Sequence, residues 1–230
     1  MTMSQGPDPA ALDRVALAAL THVADGMTLG LGTGRAAEAF IDRLGEKVRR
    51  GLRVQGVATS KRSEELAKRL QIECVELDQI HRIDVAFDGA DEVTPELALT
   101  KGLGGALLRE RVVAHEADRL VILVTPEKLV KKLGTRTAIP IEVVPFAAAT
   151  ASKNLRNLGG DPVVRRKADG FPFVTDNMNW ILDTRFEPID DPERTHAEVR
   201  RIPGVVDTGL FVGLADVVLV GGDGSVTEMR

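Results

Sequence analysis

The stretch DVAFDGADEVTPELALTKGLGGALLRER, from Asp84 to Arg111, concentrates residue types that could move protons on a small anionic substrate. Asp88 and Asp91 follow the apolar run Ile83–Phe87, whose length and type predict a buried strand. Between them Gly89 and Ala90 leave the backbone free to turn and to approach a ligand closely. Ligands of open α/β sheets sit beyond the carboxyl ends of the strands, so acids placed there face a binding crevice. Lys101 and Gly102-Leu103-Gly104-Gly105 come next, ahead of a helical pattern from Ala106 to about Ala117. Glycines before a helix start predict a tight loop whose free N–H groups, with the helix dipole, favour anionic oxygen. An enediolate or a phosphate fits that loop.

Glu110 is the anomaly of the helix. On a helical wheel its neighbours three and four positions away are Ala106, Leu107, Val113 and Ala114, all apolar, while Arg109, Arg111, His115 and Glu116 point elsewhere. Burial disfavours the charged form of a carboxylate and raises its pKa. A lone helical Glu is ordinarily a salt-bridged residue. The company of a glycine loop, Lys101 and two strand-end acids favours instead a general base with its pKa lifted towards neutrality.

The elements that must position these groups read as an α/β chain. Ala10–Ala24 has helical periodicity, Met27–Leu31 reads as a buried strand, and Gly32-Thr33-Gly34 turns into a helix from Arg35 to Leu44. Strands come next at Leu52–Ala58, Ile72–Leu77 and Arg119–Val124, with a helix at Ser63–Leu70. That alternation predicts a mostly parallel, Rossmann-like sheet with right-handed crossovers and helices on both faces. From Pro140 the rhythm changes: strand Ile141–Val144, helix Phe146–Leu158, short strands Val163–Arg166, Phe171–Thr175 and Asn179–Asp183, then helix Pro192–Ile202. This order predicts a small α+β unit of ferredoxin-like type. Val205–Phe211 and Ala215–Val220 close the chain, the latter returning to the first sheet. The expected division is 1–136 plus 206–230 for the Rossmann-like domain and 137–205 for the smaller one.

The run Gly30-Leu31-Gly32-Thr33-Gly34 raises the possibility of a dinucleotide site. That fingerprint needs glycine where Arg35 stands and an acid after the second strand, where the chain has Thr59-Ser60-Lys61. Hydroxyls and a lysine suit a phosphate or a polyol, so a sugar phosphate ranks well above NAD. No Gly-Lys-Ser/Thr comes after the first glycines, so the Walker pattern is absent. Lys128, beyond the strand Arg119–Val124, is a further candidate cation for substrate.

Composition excludes several classes. The 230 residues carry 43% hydrophobic and 28% charged residues with a net charge of −4, and the pI of about 5.7 argues against nucleic acid as the main partner. The single cysteine, Cys74, rules out an internal disulfide framework and suits a reducing compartment. It reads as a packed strand thiol. His22, His81, His115 and His196 lack metal-ligand spacing. The segment MTMSQGPDPA lacks the pattern of a secretory signal. No run approaches the roughly 18 apolar residues of a membrane span. A cytoplasmic location is the expectation.

The run DGADEV…KGLGGALLRE resembles the signature of the ribose-5-phosphate isomerase type A family, DGADE, a spacer, then KGGGxAxxxE. Further matches extend over nearly the whole chain: Gly30–Gly34, Pro140–Pro145, Val174–Asn177 with Asn179 and Leu182-Asp183, and Ile202–Val206 leading to Gly209-Leu210-Phe211. The resemblance implies a Rossmann-like domain with a smaller α+β domain, a homodimer or tetramer, and no cofactor and no metal. It implies interconversion of D-ribose 5-phosphate and D-ribulose 5-phosphate through a cis-enediol, in the non-oxidative branch of the pentose phosphate pathway. Glu110 becomes the proton-abstracting base, and Asp88, Asp91 and Lys101 assist ring opening and proton movement among the hydroxyls. The backbone of Gly89, Ala90, Gly102, Leu103 and Gly104 lies against substrate, and Thr33-Gly34-Arg35-Ala36 with Lys128 contacts the phosphate. The chain departs from the family at Arg35-Ala36, where many members have Ser-Thr, and at Leu103, where they have glycine. Some members have an N-terminal lysine that contacts substrate; here that region offers Leu12, Asp13 and Arg14.

Three rivals remain at this level. A non-catalytic sugar-phosphate sensor explains the phosphate loops but needs no base on an apolar helix face. An amino-sugar phosphate isomerase releases ammonia, and an acyl-CoA transferase needs a thioester.

Overall fold

The computed structural model describes residues 8–222 and 224–230; the first seven residues of the segment considered for a secretory signal lie outside them. In chain order the elements are α1 (Pro9–Ala19), β1 (Thr28–Leu31), α2 (Arg35–Val48), β2 (Gln55–Ala58), α3 (Lys61–Arg69), β3 (Glu73–Cys74) and β4 (Val85–Gly89). Then come β5 (Glu92–Val93), β6 (Leu99–Thr100), α4 (Leu107–Glu116), β7 (Leu120–Val124), β8 (Ile139–Val143), α5 (Ala148–Asn157) and β9 (Asp161–Val164). The chain ends with β10 (Trp180–Arg185), α6 (Pro192–Arg200), β11 (Val205–Thr208), β12 (Leu210–Phe211), β13 (Val217–Gly221) and β14 (Val226–Met229). No helix among the described residues is long and apolar enough to cross a membrane.

The chain divides into two compact units. One comprises the chain up to Gly89, Val113–Lys128 and Ala215–Arg230. Its seven-stranded sheet has the order β14-β13-β7-β4-β1-β2-β3, parallel throughout except for the β13–β14 edge. Strand alternation sorts the side chains. Leu29, Leu31, Val85, Phe87, Val121, Leu123, Val217 and Leu219 join Val15, Ala16, Ala19, Phe40, Ile41 and Leu44 of α1 and α2 in one core, with Phe40 stacked on Phe87. On the other face, a Cβ at Gly30 would lie 2.6 Å from both Ala86 Cβ and Val113 Cγ1 of α4. Helices therefore cover both faces.

The other unit comprises Ala90–Val112 and Leu129–Leu214. Its β8-α5-β9-β10-α6-β11 order folds into an antiparallel sheet β11-β8-β10-β9. That is the ferredoxin-like arrangement. Ile139, Ile141, Val143 and Leu182 pack against Ala148, Ala151 and Leu155 of α5 and Val199 of α6. A three-stranded sheet, β12-β6-β5, completes it.

Several boundaries differ from the sequence reading for physical reasons. The expected strand Phe171–Thr175 is only two isolated bridges, Arg166 with Pro172 and Val174 with Trp180; Pro172 has no N–H to continue a ladder. The expected strand Val205–Phe211 breaks at Gly209, whose N–H donates to Pro140 O (2.7 Å) and whose carbonyl accepts from Lys101 N–H (2.8 Å). A Cβ there would sit 2.3 Å from Lys101 O. The two-residue strands β5 and β6 have no signal long enough for periodicity to register, and β14 is an edge strand without buried residues, so it has no apolar run to mark it.

The units also part elsewhere than 137–205 against the remainder. Residues 90–112 go with the ferredoxin-like sheet because β5 and β6 pair with each other and β6 with β12. Glu92, fully buried, accepts from the amides of Gly134 (2.6 Å), Arg136 (2.5 Å) and Thr137 (3.0 Å) and from Thr100 Oγ1 (3.3 Å).

The tight packing at Gly30 predicts that Gly30→Ala destabilises the protein by about 1–3 kcal/mol, the usual cost of overpacking. Urea denaturation monitored by circular dichroism measures it; a variant within error of the parent would mean that α4 yields easily.

Candidate active site

The candidate residues fall into two groups, one in each unit. In the parallel sheet, β1 is the point where strand order reverses: β2 and β3 run to one side, β4, β7 and β13 to the other. Ligands of such sheets bind outside the carboxyl ends at that point. Gly32-Thr33-Gly34 leaves β1 there. Gly34 has φ of +102°, a left-handed value that glycine adopts freely, and caps α2 without a side chain. A Cβ at Gly32 would lie 2.4 Å from the Asp88 carboxyl carbon, so glycine lets β1 and β4 bring Asp88 against the loop.

Asp88, at the end of β4, is 3% exposed, and one oxygen accepts from the Thr33 amide (3.1 Å) and from its neighbour Gly89 (2.7 Å). The Thr33 hydroxyl lies 2.8 Å from both Thr59 Oγ1 and Ser60 Oγ, and 3.2 Å from Ser63 Oγ. The strand-end hydroxyls that argued against a dinucleotide thus join the first loop in one cluster, and Ser63 is an addition that its helical setting did not reveal.

Arg35 opens α2 with its side chain in solvent, and Ala36 comes after it, half-buried. A cation at a helix N-terminus opposes the dipole, and among the described residues no carboxylate pairs with Arg35. Lys128 is half-buried just past β7, its amide donating to Thr125 O at 2.9 Å. Of the N-terminal positions, Arg14 is engaged by Gly222 O at 2.7 Å and Asp13 by Arg43 at 2.5 Å.

The second group is built on β5, β6 and α4. Glu110 and Lys101 are each 3% exposed, and Lys101 Nζ lies 3.3 Å from Glu110 Oε2. The apolar face read from the sequence holds: Ala106, Leu107, Val113 and Ala114 are buried with Glu110, while His115 and Glu116 are exposed. Lys101 is also 5.6 Å from the centre of the Phe211 ring, on which Arg111 stacks at 4.1 Å. Asp91 is half-buried; its N–H donates to Thr100 O (2.7 Å) and its carboxylate accepts from the Leu103 amide (3.0 Å). The glycine loop uses φ of +102° at Gly102 and +84° at Gly105, and the Gly105 amide turns back to Gly102 O at 3.0 Å. The amides of Leu103 and Gly105 are therefore engaged within the protein, and Ala90 and Gly104 contribute backbone only.

Cys74 is half-buried on β3, where burial pushes its thiol up and away from the reactive thiolate. Among the described residues no group of three or more His, Cys, Asp or Glu side chains could hold a metal ion.

The family model for ribose 5-phosphate isomerase A (phosphoriboisomerase A) matches residues 55–225. The ribose-5-phosphate isomerase A of Thermomicrobium roseum is 48% identical over 214 residues, covering 93% of this chain and 90% of that one. The chain belongs to the ribose-5-phosphate isomerase A family. Among solved members, the isomerase A of Methanocaldococcus jannaschii has a TM-score of 0.92 at 41% identity, covering 96% of this chain and 98% of its own. A D-ribose-5-phosphate isomerase in complex with phospho-erythronic acid has a TM-score of 0.94 at 39% identity, with the same 96% and 98% coverage.

Against the family signature, the departures are local. Leu103 replaces a glycine, but it lies outside the positive-φ residues, so a side chain costs the backbone nothing and points outward, 47% exposed. Arg35 exchanges a hydroxyl for a charge. Arg35→Ser is expected to weaken binding of inorganic phosphate about tenfold, as for one hydrogen bond to a charged group. Isothermal titration reads this directly, and unchanged affinity would show that the guanidinium stays in solvent.

Proposed function

We propose that this chain interconverts D-ribose 5-phosphate and D-ribulose 5-phosphate through a cis-enediolate, with Glu110 as the general base. The observation that carries the reading is the buried pairing of Glu110 with Lys101 beside the glycine loop. A carboxylate on an apolar helix face is costly unless compensated, and the ammonium supplies the compensation. Lys101, as an ammonium, cannot accept a proton, so the carboxylate takes the role of base. Family membership supports the substrate. So does the relative solved with phospho-erythronic acid, a four-carbon acid phosphate whose planar carboxylate resembles an enediolate in shape and charge.

In the aldose-to-ketose direction Glu110 removes the C2 proton while O1 gains a proton, giving the enediol; Glu110 then delivers its proton to C1 as O2 loses one. Lys101 and the loop amide of Gly104 stabilise the negative charge that develops on oxygen, where a preorganised donor is worth several kcal/mol, roughly 3 in measured cases. Asp88 is the acid–base group that opens the furanose, with Asp91 and Lys101 moving protons among the hydroxyls. Thr33-Gly34-Arg35-Ala36 and Lys128 take the phosphate, which supplies remote binding energy to align the carbons. The protein works without cofactor or metal, in the cytoplasm, within the pentose phosphate pathway.

Glu110→Gln keeps the shape and removes the base. It is expected to leave KM nearly unchanged and to lower kcat by about 10²–10⁴-fold in a coupled assay with ribose 5-phosphate, and to abolish deuterium wash-in from solvent at C1 and C2. Near-normal turnover of this variant would make Glu110 a structural residue.

The assembly is a homodimer or tetramer. Supporting this, Phe146 is 99% exposed, two residues from the exposed Val144, and large apolar side chains left in solvent suit an interaction surface. Sedimentation velocity should give a species above the 24.8 kDa of one chain, with Phe146→Asp shifting it towards monomer; a monomeric parent would count against assembly.

A further inference from the structure

The glycine loop is gripped from one side by a residue that no local pattern singles out. Arg165 comes just after β9, with its backbone fixed at both ends: its N–H donates to Ile181 O and its carbonyl accepts from Phe173 N–H, each at 2.8 Å. Its guanidinium forms a fork with Asp183 of β10, Nε to Oδ2 at 2.9 Å and Nη2 to Oδ1 at 2.5 Å. The remaining nitrogen, Nη1, donates to two successive loop carbonyls, Gly102 O and Leu103 O, both at 3.0 Å. Phe173, 5.8 Å from the guanidinium carbon, fills the space beside Gly105, where a Cβ would lie 2.5 Å from the ring. Arg165 is thereby largely buried, its side chain 13% exposed.

Peptide geometry turns this grip into a statement about the amides. No peptide bond among the described residues is cis, and in a trans peptide the N–H points opposite the preceding C=O. With Gly102 C=O on Arg165, the Leu103 N–H must point away from it, and it does, meeting Asp91 Oδ2 at 3.0 Å. With Leu103 C=O on the same nitrogen, the Gly104 N–H is turned to the same side as Asp91. Among the described residues nothing accepts from that amide, and successive N–H groups aimed one way form an anion-binding nest. Lys could not replace Arg165, because one ammonium cannot hold a carboxylate fork and two carbonyls at once.

We propose that Arg165, locked by Asp183, is a positioning residue that sets the peptide planes of Gly102–Gly104 so that the Gly104 amide donates to the oxyanion formed during isomerisation. The idea deepens the isomerase reading and rests on it for the identity of the oxyanion.

The test uses the full chain and the variants Arg165→Met, Arg165→Lys and Asp183→Asn. Three quantities are read: kcat and KM with ribose 5-phosphate, inhibition by 4-phospho-erythronic acid against inhibition by inorganic phosphate, and the Gly104 amide signal in glycine-labelled protein. Loss of orientation at one donor should cost somewhat less than deletion of an oxyanion donor, about 10–100-fold in kcat, with KM and phosphate inhibition little changed. Affinity for 4-phospho-erythronic acid should fall in step with kcat. Arg165→Lys should recover only part of the loss, and Asp183→Asn, which loosens the fork without removing it, should show a smaller loss of the same pattern. It also stands in should Arg165→Met fail to fold. A merely structural arginine would lower the melting temperature and leave the ratio of the two inhibitor affinities untouched, which overturns the proposal. A parent that shows no isomerisation, yet loses the Gly104 response to 4-phospho-erythronic acid in the variants, would sink the substrate assignment while sustaining the positioning role.

Discussion

The second unit is organised around one buried ion pair, Lys101 with Glu110. Removing two charges from water costs several kcal/mol per ion, so an acid and a base that are each 3% exposed persist only where the geometry is held tightly. The holding is visible. Lys101 continues directly from β6, its amide bonds Gly209 O, and Phe211 of β12 presents its ring to the ammonium. Glu110 sits in the first turns of α4, fixed by the apolar residues above and below it. The same desolvation that makes the pair expensive makes each partner's charge more effective on anything beside it.

The motif Asp88-Gly89-Ala90-Asp91-Glu92 shows how a short sequence serves two units. Asp88 closes a parallel strand and is oriented by amides of its own unit. Asp91 then leads into β5, the antiparallel strand that Glu92 opens. Their side chains have different duties: Asp91 reaches the glycine loop, whereas Glu92 is fully buried and accepts from three amides of the segment 134–137. Charge in this motif is thus divided between the glycine loop and the buried amides of the segment 134–137, and residue type alone does not reveal the division. Position relative to the strand end does.

Much of this was legible in the sequence because it is periodic. The apolar stripe around Glu110, the strand alternation that buries Leu29 and Leu31, and the glycines at Gly32 and Gly34 are short-range patterns, and each appears in the structure where the pattern placed it. The order of short strands and helices after Pro140 carried the ferredoxin-like sheet, and the family signature implied the same pairing of a Rossmann-like unit with a smaller α+β one. What escaped was long-range. Arg165 meets Gly102 and Leu103 from a distant part of the chain, Glu92 reaches beyond β7, and the two-residue strands β5 and β6 exist only because they pair. Phe171–Thr175 failed as a strand for a local reason, Pro172, that outweighed its apolar composition.

Gly209 bears the consequence of such packing. It has no side chain and does no chemistry, yet its two backbone groups tie Pro140 to Lys101, and the space where a methyl would go is already filled by the lysine's own carbonyl. Intolerance to substitution therefore does not separate the reacting residues from those around them. A position can be as restricted as the buried charges near it, through want of room alone.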